Sequence, residues 1–174
     1  MGGLSVGQHI NHGRVLTKGY NMAVRYNFSR WLSVGGSFTR MNIRNNVRTT
    51  TNGNENVTYG ARMPNLPYMF ANADLTLHWN DFGREGNTLT LMYDNLYSHE
   101  FPLNFENVGY VGSKRIVPSQ FSHNLSLSYS MRNGRYNISL ESRNITNATL
   151  FDSFSLQQPG RAFFVKFRMY LNND

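Results

Sequence analysis

The segment Ser122-His123-Asn124, followed by Ser126, carries the residue types that perform nucleophilic hydrolysis in serine hydrolases. Successive residues of a strand point to opposite faces, so His123 and Asn124 cannot converge unless a neighbouring strand supplies a partner. His123 also falls on the apolar, outward face of its predicted strand. We therefore predict that the chain is not an enzyme, and keep a membrane-bound hydrolase only as a less favoured alternative.

The sequence lacks the residue types and spacings that metal and cofactor sites need. The chain has no cysteine, which excludes disulfides, thiolate metal sites and thiol nucleophiles. Its five histidines do not have the spacing of metal ligands, and no glycine-rich loop follows a strand and opens a helix. We predict no metal and no cofactor.

Two long polar segments, Asn45–Pro67 and His99–Gln120, carry side chains suited to binding rather than reaction. Cationic and aromatic residues in such loops could contact an anionic or aromatic small-molecule ligand. A plainer interpretation is that they are solvated, or contact phosphates of an outer lipid leaflet. The candidates are Arg48, Tyr59, Arg62, His99, Tyr110, Lys114 and Arg115.

Strands with strict alternation connect these segments. In the last strand Phe163, Val165 and Phe167 alternate with Phe164, Lys166 and Arg168, which gives one apolar and one mostly polar face. No apolar stretch approaches the length of a membrane helix, and the mean hydropathy is −0.48. The predicted strands are Leu4–Ile10, Val15–Phe28, Trp31–Arg44, Tyr68–Asn80, Asn87–Ser98, Phe121–Arg132, Arg135–Asn144 and Ala162–Leu171.

Short and long connections alternate along this meander. The clearest short turn is Asn133-Gly134, because both residues tolerate the positive φ of a type I′ turn, and it predicts that Met131 pairs with Tyr136. Outer-membrane barrels join strands by short periplasmic turns and long extracellular loops. We predict an all-β fold of about eight antiparallel up-and-down transmembrane β-barrel strands, with the C-terminus in the periplasm.

Aromatic residues cluster where a barrel would meet the two membrane surfaces. Arg40 falls on the outward face near the long loops, where its head group can reach lipid headgroups. The predicted girdle contains Phe28, Trp31, Trp79, Phe82, Tyr136 and Tyr170 at the short turns, and Tyr93, Tyr97 and Phe121 at the other end.

Two other classes of protein are less consistent with the sequence. The net charge of +7 comes from cations scattered over turns and polar faces, so we predict no nucleic-acid partner. A soluble antiparallel sandwich would also show alternation, but it explains neither the alternating loop lengths nor the long strands. The N-terminal residues lack the features of a secretory signal, which for an outer-membrane protein predicts a mature chain or a fragment.

Three local sequences resemble the C-terminal part of TonB-dependent outer-membrane receptors, with the character of Bacteroidetes members. The first, Arg62-Met63-Pro64-Asn65-Leu66-Pro67-Tyr68, leads into a strand. The second, Arg143-Asn144-Ile145-Thr146-Asn147, ends one, and its two asparagines can cap the strand end by side-chain to backbone hydrogen bonds. The third runs from Gln158-Pro159-Gly160-Arg161 through the last strand, and Pro-Gly reverses the chain into that strand.

The resemblance implies a 22-stranded barrel with an N-terminal plug and a short box that recruits TonB. Neither plug nor box is recognisable here, so residues 1–174 are interpreted as a C-terminal barrel segment. The implied function is energy-coupled uptake of a scarce, bulky nutrient such as a siderophore, haem, cobalamin or glycan, with outer-membrane lipid, a small-molecule ligand and TonB as partners. Leu171-Asn172-Asn173-Asp174 departs from the family's terminal aromatic residue. The alternative is a complete eight-stranded outer-membrane barrel with a structural or adhesive role.

Overall fold

The chain forms one long antiparallel meander and a small hairpin. The computed structural model describes residues 13–109, 115–152 and 156–171. Its strands are β1 (Val15–Asn27), β2 (Leu32–Asn45), β3 (Met69–Asn80), β4 (Thr88–Ser98), β5 (Phe101–Pro102), β6 (Ile116–Val117), β7 (Gln120–Met131), β8 (Tyr136–Arg143) and β9 (Ala162–Met169). The all-β antiparallel prediction is confirmed. Among the described residues, no helix has the length and apolar character needed to cross a bilayer.

Seven strands form a single sheet in the order β1-β2-β3-β4-β7-β8-β9. These seven match the predicted strands from Val15 onward, whereas the predicted strand Leu4–Ile10 lies outside the described residues. The hairpin β5–β6 was not predicted, because each strand has two residues, too few to show alternation. Within the described part of the chain β1 and β9 do not pair, so the sheet is open at both edges.

The Asn133-Gly134 turn is confirmed. Both residues have positive φ, 53° and 92°, and Arg135 N donates to Arg132 O at 3.2 Å. Met131 pairs with Tyr136, as the two-residue turn requires. The turn is also tied to its neighbour between β3 and β4, since Arg132 N donates to Asn87 Oδ1 at 3.1 Å.

The sheet has two chemically different faces and no core. The register places Val34, Leu75, Leu127 and Val165 on one face, named here the apolar face. Asp74 and Asn124 lie on the opposite, polar face. The buried hydrophobic residues of the described chain are Phe101 (3% exposed) and Val117 (0%), which pair in the β5–β6 hairpin and not in the sheet. No second layer therefore covers the apolar face in the described structure.

The apolar residues form a band that runs obliquely across the strands. In β2 the band ends at Arg40, whose hydrogen-bonded row continues through Met69 to His99. In β9 the band begins only at Phe163, whose hydrogen-bonded row runs through Leu125 to Val34, three same-face positions closer to the short turns than Arg40. At the short-turn end, the limit of the apolar band shifts in the same direction, from the level of the β1–β2 turn to Met169 of β9. An oblique band is expected where strands are tilted relative to a bilayer, as they are in membrane barrels.

The polar face is a network of cross-strand contacts. Arg25 Nη2 lies 3.1 Å from Asp74 Oδ2, and the contact crosses Gly35, which stands between them in the register. A Cβ on Gly35 would lie 2.5 Å from Asp74 Oδ1, so glycine is what leaves room for this ion pair. Further contacts link Asn21 with Thr39, Ser37 with Asn72, Ser128 with Ser139 and Lys166 with Glu141.

Gly35→Ala should displace the Asp74 carboxylate and weaken its pairing with Arg25. Because the pair is solvent-exposed, we expect a loss of less than about 1 kcal/mol in the free energy of unfolding. Denaturant unfolding in detergent micelles measures the loss, and repeating it in an Arg25→Met background isolates the contribution of the pair. If alanine costs the same in both backgrounds, the role assigned to Gly35 is wrong.

Candidate functional site

The connection between β2 and β3 is a folded loop organised around Asn45, which is 1% exposed. The Asn45 side chain donates to Thr58 Oγ1 at 2.6 Å and accepts from Val47 N at 2.9 Å. Its backbone carbonyl accepts from Gly60 N at 2.8 Å. One buried asparagine therefore joins both ends of the loop.

Arg48 and Tyr59, two predicted ligand contacts, are brought together by this loop. Arg48 Nε donates to the Tyr59 hydroxyl at 3.0 Å, and its guanidinium carbon lies 5.3 Å from the ring centroid. The Tyr59 hydroxyl raises the pKa of Arg48, so the guanidinium is charged throughout the physiological pH range. Both residues line a pocket of about 540 Å³ together with Arg14. This pocket is suited to an anionic group.

Arg62 and His99 belong to a second group. The Arg62 guanidinium lies 4.4 Å from the centroid of Tyr68, and that ring packs against His99 at 4.6 Å. His99 Nδ1 also lies 3.1 Å from both the Tyr97 hydroxyl and Ser119 Oγ. These two candidates are thus connected through aromatic rings and are already engaged by neighbours within the chain.

The connection between β4 and β7 contains the β5–β6 hairpin. Arg115 precedes β6, and its carbonyl accepts from Leu103 N at 2.9 Å. Its side chain lines a separate pocket of about 280 Å³ next to Glu106 and Asn104. Tyr110 and Lys114 lie outside the described residues. The hairpin contacts the first loop through Asn65 N and Pro102 O at 2.9 Å.

The predicted contact residues therefore do not form one site. Arg48 and Tyr59 share a pocket, Arg62 and His99 share an aromatic group, and Arg115 lies apart. The sequence shows that these residues are on long connections, but not how each connection folds. Their role as ligand contacts stays a prediction.

A further pocket, of about 440 Å³, was missed by the sequence analysis. It lies where all three long connections meet the polar face, and Phe101 and Phe151 belong to its lining. The sequence signal was the presence of Phe70 and Leu96 on the polar face, where most neighbours are hydrophilic. Both side chains are partly exposed, so the pocket offers apolar contact to a molecule on this face.

The connection between β8 and β9 is held by the two asparagines that the sequence predicted as caps. Asn144 donates from Nδ2 to Ala148 O at 2.8 Å and accepts at Oδ1 from Ala148 N at 2.9 Å. Asn147 Oδ1 accepts from Arg161 N at 3.0 Å, and it would lie 2.7 Å from a Cβ on Gly160. The capping prediction is confirmed, and Gly160 allows the close approach that returns the chain to β9.

The predicted girdle residues follow two patterns. At the long-loop end of the apolar face, Tyr97 contacts Phe121, with ring centroids 6.2 Å apart, and Phe121 contacts His123. Tyr93 lies 2.5 Å from His123 Nδ1 through its hydroxyl. At the short turns, Phe28 packs against Tyr26, Phe82 packs against Tyr129, and Tyr136 lies beneath Arg132 and Arg135.

Trp31 and Tyr170 differ from the other girdle residues. The Trp31 carbonyl accepts from His78 N, which places Trp31 opposite a polar-face position, whereas Trp79 is on the apolar face. Tyr170 follows β9, and its hydroxyl lies 3.5 Å from Arg168 Nη1, a polar-face side chain. A membrane-girdle role stays a prediction for the whole set.

The residues that suggested hydrolysis are separated. His123 is on the apolar face with Tyr93, while Ser122 and Asn124 are on the polar face. The Asn124 side chain already donates a hydrogen bond from Nδ2 to Asp94 Oδ2 at 2.7 Å. Among the described residues no group of three or more His, Cys, Asp or Glu is placed to hold a metal ion.

Comparison with known proteins gives a likeness of fold. No protein-family model and no curated protein matches the sequence. The solved structures include a chain with the same arrangement of antiparallel strands. It is FpvA of P. aeruginosa, in a complex with a heterologous pyoverdine and iron.

The likeness to FpvA has a TM-score of 0.61 at 13% sequence identity. It covers 89% of this chain but only 19% of FpvA. At this identity it shows a shared fold, and the present chain corresponds to about a fifth of the length of that protein.

Asn45→Ala should release the first loop, because it removes two hydrogen bonds of a buried side chain. Such a loss costs about 1–3 kcal/mol, which raises the open population of the loop by about 5- to 150-fold. Trypsin should then cleave after Arg48 at least about fivefold faster than in the unaltered chain. Asn54→Ala is the control, because that residue supports the loop through its backbone carbonyl. Equal cleavage of both variants would contradict the role of Asn45.

Proposed function

We propose that this chain is a segment of the wall of an outer-membrane β-barrel. The observation that carries the proposal is the oblique apolar band on a single-layered sheet. A soluble protein buries such a face against a second layer, whereas a barrel in a bilayer leaves it to the lipid. The side-chain network on the opposite face suits a wall that lines a hydrated or plugged lumen.

We further propose that the barrel is that of a TonB-dependent receptor. The supporting observation is the fold shared with FpvA, a receptor of that class, over most of this chain. The local sequences around Arg62, Asn144 and Gly160 support the same class and a C-terminal position. The 22-stranded barrel, the plug and the recruitment of TonB belong to the proposal. FpvA comes from P. aeruginosa, and a Bacteroidetes origin stays a prediction.

The proposed activity is uptake of a bulky small molecule captured by the long connections. FpvA binds pyoverdine with iron, which is consistent with a siderophore, but haem, cobalamin and glycans fit the proposal equally. The pocket of Arg48 and Tyr59 offers a cation, and the pocket of Phe70 and Leu96 offers apolar surface.

Lipid exposure of the apolar face can be tested with the two tryptophans of the chain. In a Trp31→Phe variant only Trp79 remains, and it lies on the apolar face. We expect brominated phospholipids to quench its fluorescence, and most strongly when the bromine is near the headgroup. The Trp79→Phe variant, which retains Trp31 in the β1–β2 turn, is the comparison. If Trp79 is not quenched, something other than lipid covers the apolar face.

A segment of a larger barrel has unpaired edge strands, whereas a complete small barrel has none. Because β1 and β9 are unpaired in the described structure, the 174-residue chain alone should give a protease-sensitive species in micelles. Its electrophoretic mobility should not depend on heating before the run. A protease-resistant, heat-modifiable band would mean that the chain closes by itself, and would favour the eight-stranded barrel.

A further inference from the structure

Three cations stand together where the apolar band ends on β1 and β2. They are Lys18, Arg40 and Arg44, and they are named here the basic rim. Lys18 pairs in register with Asn42, which lies midway between the two arginines on the same face. The four residue steps from Arg40 to Arg44 span about 13 Å of strand, so Lys18 is adjacent to both. All three side chains are exposed.

Carboxylates do not neutralise the basic rim. Neither β1 nor β2 contains an aspartate or glutamate. Arg25, on the same β1 strand but on the polar face, forms an ion pair with Asp74. A cation of β1 therefore has a carboxylate partner on the polar face. Within the described residues Lys18 and Arg40 form no ion pair or side-chain hydrogen bond. Arg44 donates to neutral groups, Asn42 Oδ1 and Gly60 O.

Apolar surface continues directly below the basic rim. Tyr20 pairs with Arg40 and its ring lies 6.0 Å from that of Phe38. Met22 and Val24 follow on β1, at 64% and 72% exposure. A molecule that covers both regions must combine an anionic head with long apolar chains.

We propose that the basic rim binds the phosphate groups of membrane lipids in the leaflet on the long-loop side. The inference rests on the proposed position of the apolar face in a bilayer. A soluble anion would gain nothing from the apolar strip, and the cation of the first loop, Arg48, has a pocket of its own. At the corresponding limit β4 and β7 carry Tyr97 and Phe121, and neither strand contains a lysine or arginine, so the basic rim belongs to the β1–β2 side of the wall.

The test uses the whole chain in mixed micelles of phosphatidylglycerol and phosphatidylcholine, with native mass spectrometry to count retained lipids. The unaltered chain should retain phosphatidylglycerol preferentially. Each basic residue near an anionic lipid surface contributes about fivefold to binding, so Lys18→Gln/Arg40→Gln should lower the ratio of the two retained lipids by about 25-fold. The matched control, Arg48→Gln/Arg115→Gln, removes two charges from the loops and should retain the preference.

Each outcome decides the proposal. An equal fall in both double variants would show attraction by net charge and overturn the basic rim as a site. Displacement of the retained lipid by millimolar inorganic phosphate would overturn lipid in favour of a soluble anion. A chain that enters micelles, shows Trp79 quenching and has no lipid preference contradicts the basic rim alone. Absence of Trp79 quenching contradicts the membrane wall itself, so the two failures are distinguishable.

Discussion

Pairing between neighbouring strands is the interaction on which the rest of this structure depends. A globular domain is held by a core, and loss of a few ladder hydrogen bonds is offset by side-chain packing. Here the sheet has no second layer in the described structure, so the register alone decides which side chains meet. A slip by one residue would exchange the two faces, moving Asp74 and Arg25 into the apolar band. Gly35, which leaves room for the pair of Arg25 and Asp74, and the hydrogen bond from Arg132 N to Asn87 Oδ1 support this register.

The two faces place different demands on the environment. The polar face satisfies its charges internally where it can, as Arg25 with Asp74 and Lys166 with Glu141 show. In the part of the chain that the structure describes, no second layer covers the apolar face, and the cations of its strands lie at its limits. This division is what a wall between lipid and a polar interior needs. It also explains why the buried hydrophobic residues Phe101 and Val117 are found in a connection, where a small cluster can close without the sheet.

The long strands and the tight turn could be predicted from the sequence because their determinants are local. Alternation defined β7 and β8, and the positive φ that Asn133 and Gly134 tolerate fixed their register. The connections could not be predicted, since their order comes from single contacts between distant residues, such as Asn45 with Thr58. Asn144 was recognised as structural because its partner Ala148 is four residues away, whereas Asn147, whose partner Arg161 is 14 residues away, was recognised only through its place in the Asn-x-x-Asn pattern. The candidate ligand residues were accordingly predicted to lie on loops, but not to divide between separate pockets.

The oblique course of the apolar band gives the sheet a screw sense. Followed from β9 toward β1, the limit of the apolar band moves toward the long loops, from the row of Phe163 to the row of Arg40. A strand that pairs with the free edge of β1 must continue this shift. Its outward apolar residues must lie closer to the long connections than those of β1. A neighbour joining β9 must be displaced in the opposite direction. The pitch of the band therefore restricts which strands can extend this sheet, independently of their composition.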